Sequence, residues 1–447
     1  MTQTRISRPG GLLKASLLLL ATVAARGQNA GSGPIRYVPG STRKVCQLTG
    51  ERDHETHLPT ASRTASRFGL VAADLGDSFE YKGRLVFLFG DSLATPTFHG
   101  HPNGFSDPPR SPLANDAVAF ADPLRPDRIR LGFTTNALGA YGNPVVLGAD
   151  GKPAITLGTN EVPVAGLALA GRMVVVFATD NPHRNAKPPE PLGFATRSVV
   201  GVSEDDGRTF RYCYDLSRGP DARFINVALA HGPDGFLYIW GTRGGDNYRK
   251  SAVFFARKQL SDLLRPGGMA YFTGFGPLGA PRFSPRESEA APLFAEPMEP
   301  RHATGELGVE WNPYVKRWVM LYNCQDRDAD HLPGIWMRTA EHAWGPWSDP
   351  QTIFNPQRDG GYGHFIHRAV TPQDPVDDGL APPAARNRWG GAYAPSFLSR
   401  FTTGDAARGR STFFYTVSTW IPYGQVVLRS TIERADARKP PKPFGTN

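Results

Sequence analysis

Cysteine is almost missing from this chain: Cys46, Cys213 and Cys324 are the three present in 447 residues. They are too few and too widely spaced for a disulfide scaffold, at most one bridge can form, and no C-x-x-C pair announces a structural metal. Lysine is rare beside arginine and no basic run exceeds two residues, so the formal charge of +9 is scattered. That excludes a nucleic-acid binder, which needs clustered cations interleaved with aromatics. A long apolar run is absent as well. The one stretch apolar enough to enter a bilayer, ASLLLLATVAA from Ala15 to Ala25, is too short to span it. It follows Arg5, Arg8 and Lys14 and meets small residues at Ala25 and Gly27, the pattern of a cleaved secretory signal over residues 1–27. Without a cysteine at the cleavage region a lipid anchor is not indicated. The expectation is a secreted or periplasmic protein, monomeric and free of the membrane once processed.

What remains is rich in core material. Hydrophobic residues make up 40% and charged residues 20%, which is incompatible with disorder. Gly 49, Pro 41 and 11% aromatics suit short strands joined by tight turns. A recurring unit emerges: a short apolar strand, a turn, then a strongly β-prone strand ending in a polar residue. Five copies are legible, FEYKGRLVFLFGD, LALAGRMVVVFATD, ALAHGPDGFLYIWGT, VEWNPYVKRWVMLYN and SRFTTGDAARGRSTFFYTVS. Each leaves room for two more strands, supplied by segments such as NDAVAF, RSVVGVS, AVFFARK, GIWMRTAE and QVVLRSTI. The arrangement predicts an all-β chain forming one five-bladed β-propeller over 46–435, with 28–45 a linker and 436–447 a frayed tail.

SEDDGRTF supports this architecture independently. Ser203, Asp205, Gly207, Thr209 and Phe210 fit the S-x-D-x-G-x-T-F Asp box of sialidase-like propellers, which stabilises an edge turn and catalyses nothing. The WGPWSDP stretch from Trp344 reads as a packed blade corner.

The chemistry concentrates in RFGLVAADLGDSFEYKGRLVFLFGDS, residues 67–92. With Lys82-Gly83 as a two-residue turn, Tyr81 faces Arg84, and the same register opposes Asp74 to Asp91. Opposed like charges repel, so a purely structural hairpin avoids them. Two close carboxylates split their titration, the division that general acid/base or nucleophile/acid chemistry requires. A bulge at Gly76 would shift that register by one. Glu306 and Glu310 share a strand face, and Glu306 is a third candidate acid. Asn115, Asp116 and Glu161 open strands of the first two blades and are candidates for orienting hydroxyls, together with Trp311 and Asn323 of the fourth. Tyr362, His364 and His367, then Tyr393, Trp420 and Tyr423, gather near the fifth blade in the aromatic and polar mixture that sugar rings favour. His99 and His101 lack a third ligand of suitable spacing, so neither metal nor cofactor is expected.

VAADLGDSFEYKGRLVFLFGDS, GELGVEWNPYVKRWVMLYN and the closing YGHFIHRA, WGGAYAPSF and STWIPYGQVVLRS resemble the bacterial family known as domain of unknown function 4185. Members of that family are placed in glycoside hydrolase family 183, endo-D-arabinanases acting on mycobacterial arabinan. The resemblance covers roughly residues 46–432. The family's opening motif, T-D-L-G then a hairpin and F-G-D-[ST], maps its paired aspartates onto Asp74 and Asp91, with Ala73 in place of the usual threonine. The resemblance implies a glycoside hydrolase that cleaves inside a furanose-rich polysaccharide. A catalytically silent glycan-binding propeller is the alternative, followed by a lyase or sialidase-like enzyme, although no arginine triad is evident. Direct opposition of the two aspartates lies nearer the short carboxyl separation of retaining glycosidases than the wider one of inverting enzymes.

Overall fold

The computed structural model describes residues 33–94, 116–183, 193–244, 252–295, 305–324, 334–368 and 389–435. The expected signal at 1–27, the tail at 436–447 and the residues His99, His101 and Asn115 lie outside this set.

Five antiparallel blades are arranged around one axis. Their innermost strands are Leu70–Tyr81, Pro163–Leu169, Asn226–His231, Leu307–Asn312 and Gly391–Phe397. Each touches the next, and the fifth touches the first, which closes the ring into a five-bladed β-propeller. Blade 1 continues outward through Arg84–Ala94, Ala117–Ala121 and Gly132–Phe133, and blade 4 through Arg317–Cys324, Gly334–Ala340 and Gln351–Phe354. Blade 2 adds Arg172–Thr179, Arg197–Ser203 and Thr209–Arg218, then a parallel edge, Val145–Leu147. Blade 3 adds Phe236–Thr242 and Ala252–Gln259, and extends through the hairpin of Met269–Phe275 with Pro281–Ser284.

Burial on both faces explains the sequence of these strands. Successive side chains alternate between faces, and every blade is covered on each side by a neighbour. In the second strand of blade 1, Phe87 and Phe89 turn toward blade 5 and meet Leu398 and Val427. Val86 and Leu88 turn the other way, toward Val175, Phe177 and Phe210 of blade 2. Such strands therefore read as unbroken apolar runs rather than alternating ones.

The first hairpin turns as expected. Lys82 and Gly83 take φ of 49° and 79°, the two left-handed residues of a type I′ turn, and Tyr81 pairs with Arg84. The Asp box is a structural turn: Asp205 accepts the Thr209 amide at 3.0 Å and the Ser203 hydroxyl at 2.8 Å, above a buried Phe210. Its neighbour Asp206 accepts the Tyr81 hydroxyl at 3.0 Å, which pins blade 2 to the blade 1 hairpin.

Two expectations are corrected in blade 5. The fifth repeat is not its inner hairpin; Thr403–Asp405 and the start of Arg410–Trp420 form a side ribbon, while the inner strand Gly391–Phe397 comes earlier and pairs with the later part of Arg410–Trp420. Nor is 28–45 wholly a linker. Ile35–Tyr37 and Arg43–Gln47 both pair with Gly424–Arg434, so blade 5 is completed by the other end of the chain. These strands cover the edge of Gly424–Arg434, and Ile35 and Tyr37 enter the core between blades 4 and 5. A chain beginning at Leu48 exposes that edge to pairing with other molecules. In a thermal scan it should lose the sharp unfolding transition of the full protein and aggregate.

Candidate active site

The N-terminal ends of the inner strands converge on a small cavity of about 60 Å³, lined by Asp74, Asp91, Asn160, Phe194, Asn226 and Glu306 among others. A second, smaller cavity of about 20 Å³ adjoins it, lined by Leu75, Val164, Leu307 and Ala394 among others.

Asp74 and Asp91 reach this cavity by a distortion. The register holds from Tyr81–Arg84 to Asp77–Leu88, then slips by one at Gly76, so that Leu75 pairs with Phe89 and Asp74 with Gly90. The directly opposed pairing is therefore replaced by a diagonal one, and the argument for a retaining geometry loses its premise. Leu75, Gly76 and Asp91 all have positive φ, at 62°, 64° and 37°. Such backbone is costly for side chains other than glycine and persists where surrounding structure enforces it. A Cβ at Gly76 would lie 2.8 Å from the Gln425 side chain, and one at Gly90 would lie 2.6 Å from Val162, so both glycines are fixed by neighbouring blades.

The two aspartates are 8% and 5% exposed and electrostatically linked. The Tyr393 hydroxyl donates to Asp74 Oδ2 at 2.9 Å. Tyr423, whose hydroxyl donates to the Asp91 carbonyl at 3.0 Å, lies beside the same Asp74 carboxyl. Burial pushes Asp74 up to about 7, with the Glu306 charge adding to the rise and both tyrosines opposing it. Asp91 is held well above the ordinary carboxylate range, first by burial and then by the charges of Asp74 and Asp116. Its one opposing amide is Asn160 N–H, at 3.0 and 3.2 Å from the two oxygens. Hydroxyl donors thus favour the Asp74 anion, whereas Asp91 has the Asn160 amide and several carboxyl charges around it, so the two anions are unequally stabilised and the pair titrates together. Asp74 Oδ1 is buried and has no hydrogen-bond partner among the described residues.

The other candidates divide. Glu306 lies half-buried on the cavity wall, across the axis from Asp74. The register that pairs Leu307 with Tyr322 carries Glu306 alongside Asn323, whose fully buried amide has no hydrogen-bond partner among the described residues. Asp116 sits behind Asp91, accepts its amide and is itself held well above the normal range, chiefly by burial and the Asp74 charge. Glu161 does not reach the cavity. It is fully buried, its Oε1 takes the Asn181 amide at 2.8 Å and the Thr156 hydroxyl at 3.0 Å, and its charge adds to the rise of Asp91 and Asp116 from behind the cavity wall. Trp311 is also not at this site: five residues along the strand from Glu306, about 16 Å, it stands at the opposite mouth of the axis.

Tyr423, Tyr393 and Trp420 cluster with Leu75 and Val162. Tyr362 instead stacks on Trp389 at 4.4 Å, and His364 is exposed, with Nδ1 3.4 Å from Glu55. His367 is tied through its backbone amide to the Ile421 carbonyl at 2.7 Å, next to Trp420 but not on the cavity wall. Sequence reasoning missed Asn160, which takes φ of 57° so that its amide points at Asp91. An asparagine just before a strand, a residue type that tolerates this conformation, was the available signal.

The chain belongs to the family described as domain of unknown function DUF4185, whose model matches residues 60–429. No curated protein matches it. Among solved structures it is similar to a Bacteroides ovatus protein at 14% identity and TM-score 0.48, covering 82% of this chain and 87% of that one. A thermostable family-43 glycoside hydrolase gives 11% identity and TM-score 0.41, with 86% and 99% covered. An exo-β-1,3-galactanase from Phanerochaete chrysosporium gives 8% and 0.40, with 87% of this chain and 64% of that one covered.

The two tyrosines stabilise the ionised form of Asp74, so removing one must favour the protonated form. In Tyr393→Phe, carboxyl ¹³C NMR should show Asp74 keeping its proton to higher pH, with roughly tenfold tighter proton binding. An unchanged titration would mean that the hydroxyl does not tune this carboxyl.

Proposed function

We propose that this protein is an exported glycoside hydrolase that cleaves within a furanose-rich polysaccharide, with D-arabinan as the leading substrate. One observation carries the reading: two buried, mutually coupled aspartates with unequal stabilisation of their anions, facing a cavity at the axis of a propeller. Glycosidic cleavage uses one carboxyl group as acid and another as nucleophile or base. Asp91 holds the proton and serves as the acid; Asp74, ionised with help from Tyr393 and Tyr423, serves as the carboxylate. Glu306, across the cavity, is placed to act on a bound sugar and on the Asp74 charge. The choice of arabinan rests on the family resemblance of the paired aspartate motifs. Export rests on the apolar segment at Ala15–Ala25 and its basic flank.

Purified protein incubated with mycobacterial arabinogalactan and a panel of plant and bacterial glycans should release new reducing ends from the arabinan. Glycan retention without any cleavage would instead make it a binding module. Asp74→Asn and Asp91→Asn should each lower turnover by roughly a hundredfold or more while the thermal transition persists. Wild-type rates in both would remove the pair from the mechanism.

A further inference from the structure

The face opposite the acid pair has a construction of its own. Where the inner strands end, a cavity of about 390 Å³ opens at the axis, and a second of about 440 Å³ runs between blades 3 and 4. They share three walls, His231, Trp311 and Trp318. Both volumes fall in the roughly 300–1,000 Å³ range of small-ligand sites. Trp311 is 44% exposed, and it is the exposed tryptophan among the described residues. Its ring rests against the buried Trp318 at 5.7 Å and 64°, which supports the indole while leaving much of it in solvent. Beside it, His342 stacks on Trp344 at 5.3 Å and 7°. Glu341 accepts Arg317 at 2.7 Å and Glu80 accepts Arg400 at 2.7 Å, while the other two acids of the lining, Asp77 and Glu310, are held by an amide and hydroxyls of neighbouring blades. Neighbouring stacked rings beside hydrogen-bonding histidines and carboxyl groups are complementary to a neutral glycan, whose C–H faces lie on indole and whose hydroxyls meet histidine and glutamate.

We propose that this groove is a second, non-catalytic binding site for the polysaccharide, with Trp311 as its stacking platform. It rests on the reading of the protein as glycan-active. About 16 Å of strand separates Trp311 from Glu306, and the cavities lined by the two residues share no wall residue. The groove therefore engages a different stretch of polymer from the one at the acid pair, and its effect grows with substrate length.

The test uses the full protein with Asp74→Asn to prevent cleavage, and measures retention on immobilised arabinogalactan and on the glycan panel. Adding Trp311→Ala should weaken retention about tenfold, with Trp311→Phe restoring part of it. In the otherwise unmodified enzyme, Trp311→Ala should slow release from the polymer and leave cleavage of short soluble oligosaccharides unchanged. Equal retention with and without Trp311, or no retention on any glycan, would overturn the proposal. Retention that depends on Trp311 in a protein with no turnover would sustain this site while removing the hydrolase reading.

Discussion

Everything at the acid pair depends on the closure of the ring. Blade 5 is assembled from both ends of the chain, with Ile35–Tyr37 and Arg43–Gln47 laid against Gly424–Arg434. Once closed, it presses on blade 1 through short polar ties. The Ser78 hydroxyl donates to the Phe397 carbonyl at 2.6 Å, Thr416 to the Gly76 carbonyl at 3.2 Å, and Arg400 to Glu80 at 2.7 Å. Gly76 is the bulge that offsets Asp74 from Asp91, and Tyr393 and Tyr423 both arrive from blade 5. The geometry of the site is therefore a tertiary property of two blades far apart in sequence. No local feature of the first hairpin could hold it alone.

That dependence governs what was legible in the sequence. Strands buried on both faces announce themselves as apolar runs, and a type I′ turn has a narrow residue preference, so blade number and most hairpins could be read directly. The closing strands could not. Ile35–Tyr37 and Arg43–Gln47 are short, partly exposed and paired with residues nearly the whole chain away, leaving no periodic signal. The fifth hairpin misled for a related reason. Thr403–Asp405 and Arg410–Trp420 do form a local hairpin, but the true inner strand precedes it, separated by the single 3₁₀ turn Ser399–Phe401.

At the site the identity of the acids was readable and their placement was not. Asp74 and Asp91 stand out by type and spacing, whereas the one-residue slip between them is set by packing against Gln425 and Val162. Strand parity has a similar limit. It reports which face a side chain takes but not how far along the axis it lies, so Glu306 and Trp311, on one strand, belong to opposite mouths of the channel. Glu161 shows a third limit: an acid at the start of an inner strand can stay off the cavity wall and act behind it, bonding Asn181 and Thr156 while its charge bears on Asp91 and Asp116.

Raised carboxyl titration is not what singles out Asp74 and Asp91. Asp77 and Glu310, in the lower half of the channel, are also pushed up to about 7 by burial. Both are committed to joining blades. Asp77 accepts the Gly166 amide at 3.0 Å from blade 2 and the Ser396 hydroxyl at 3.1 Å from blade 5, while Glu310 takes the Ser399 hydroxyl at 2.7 Å. Their acceptors are used, and a buried acid whose acceptors are used is a structural tie with a perturbed proton. Asp74 has the same burial and the same shift, but one of its oxygens is left without a partner among the described residues. Asp91 shares one backbone amide between two oxygens among the described residues and feels three other carboxyl groups, Asp74, Asp116 and Glu161. A fold that satisfies its lower acids and leaves its upper ones under-satisfied, with several left-handed residues holding them there, has concentrated its unresolved electrostatics at one end of the axis. Such a cost persists only where surrounding structure enforces it, and here blades 2 and 5 hold the backbone that carries both aspartates.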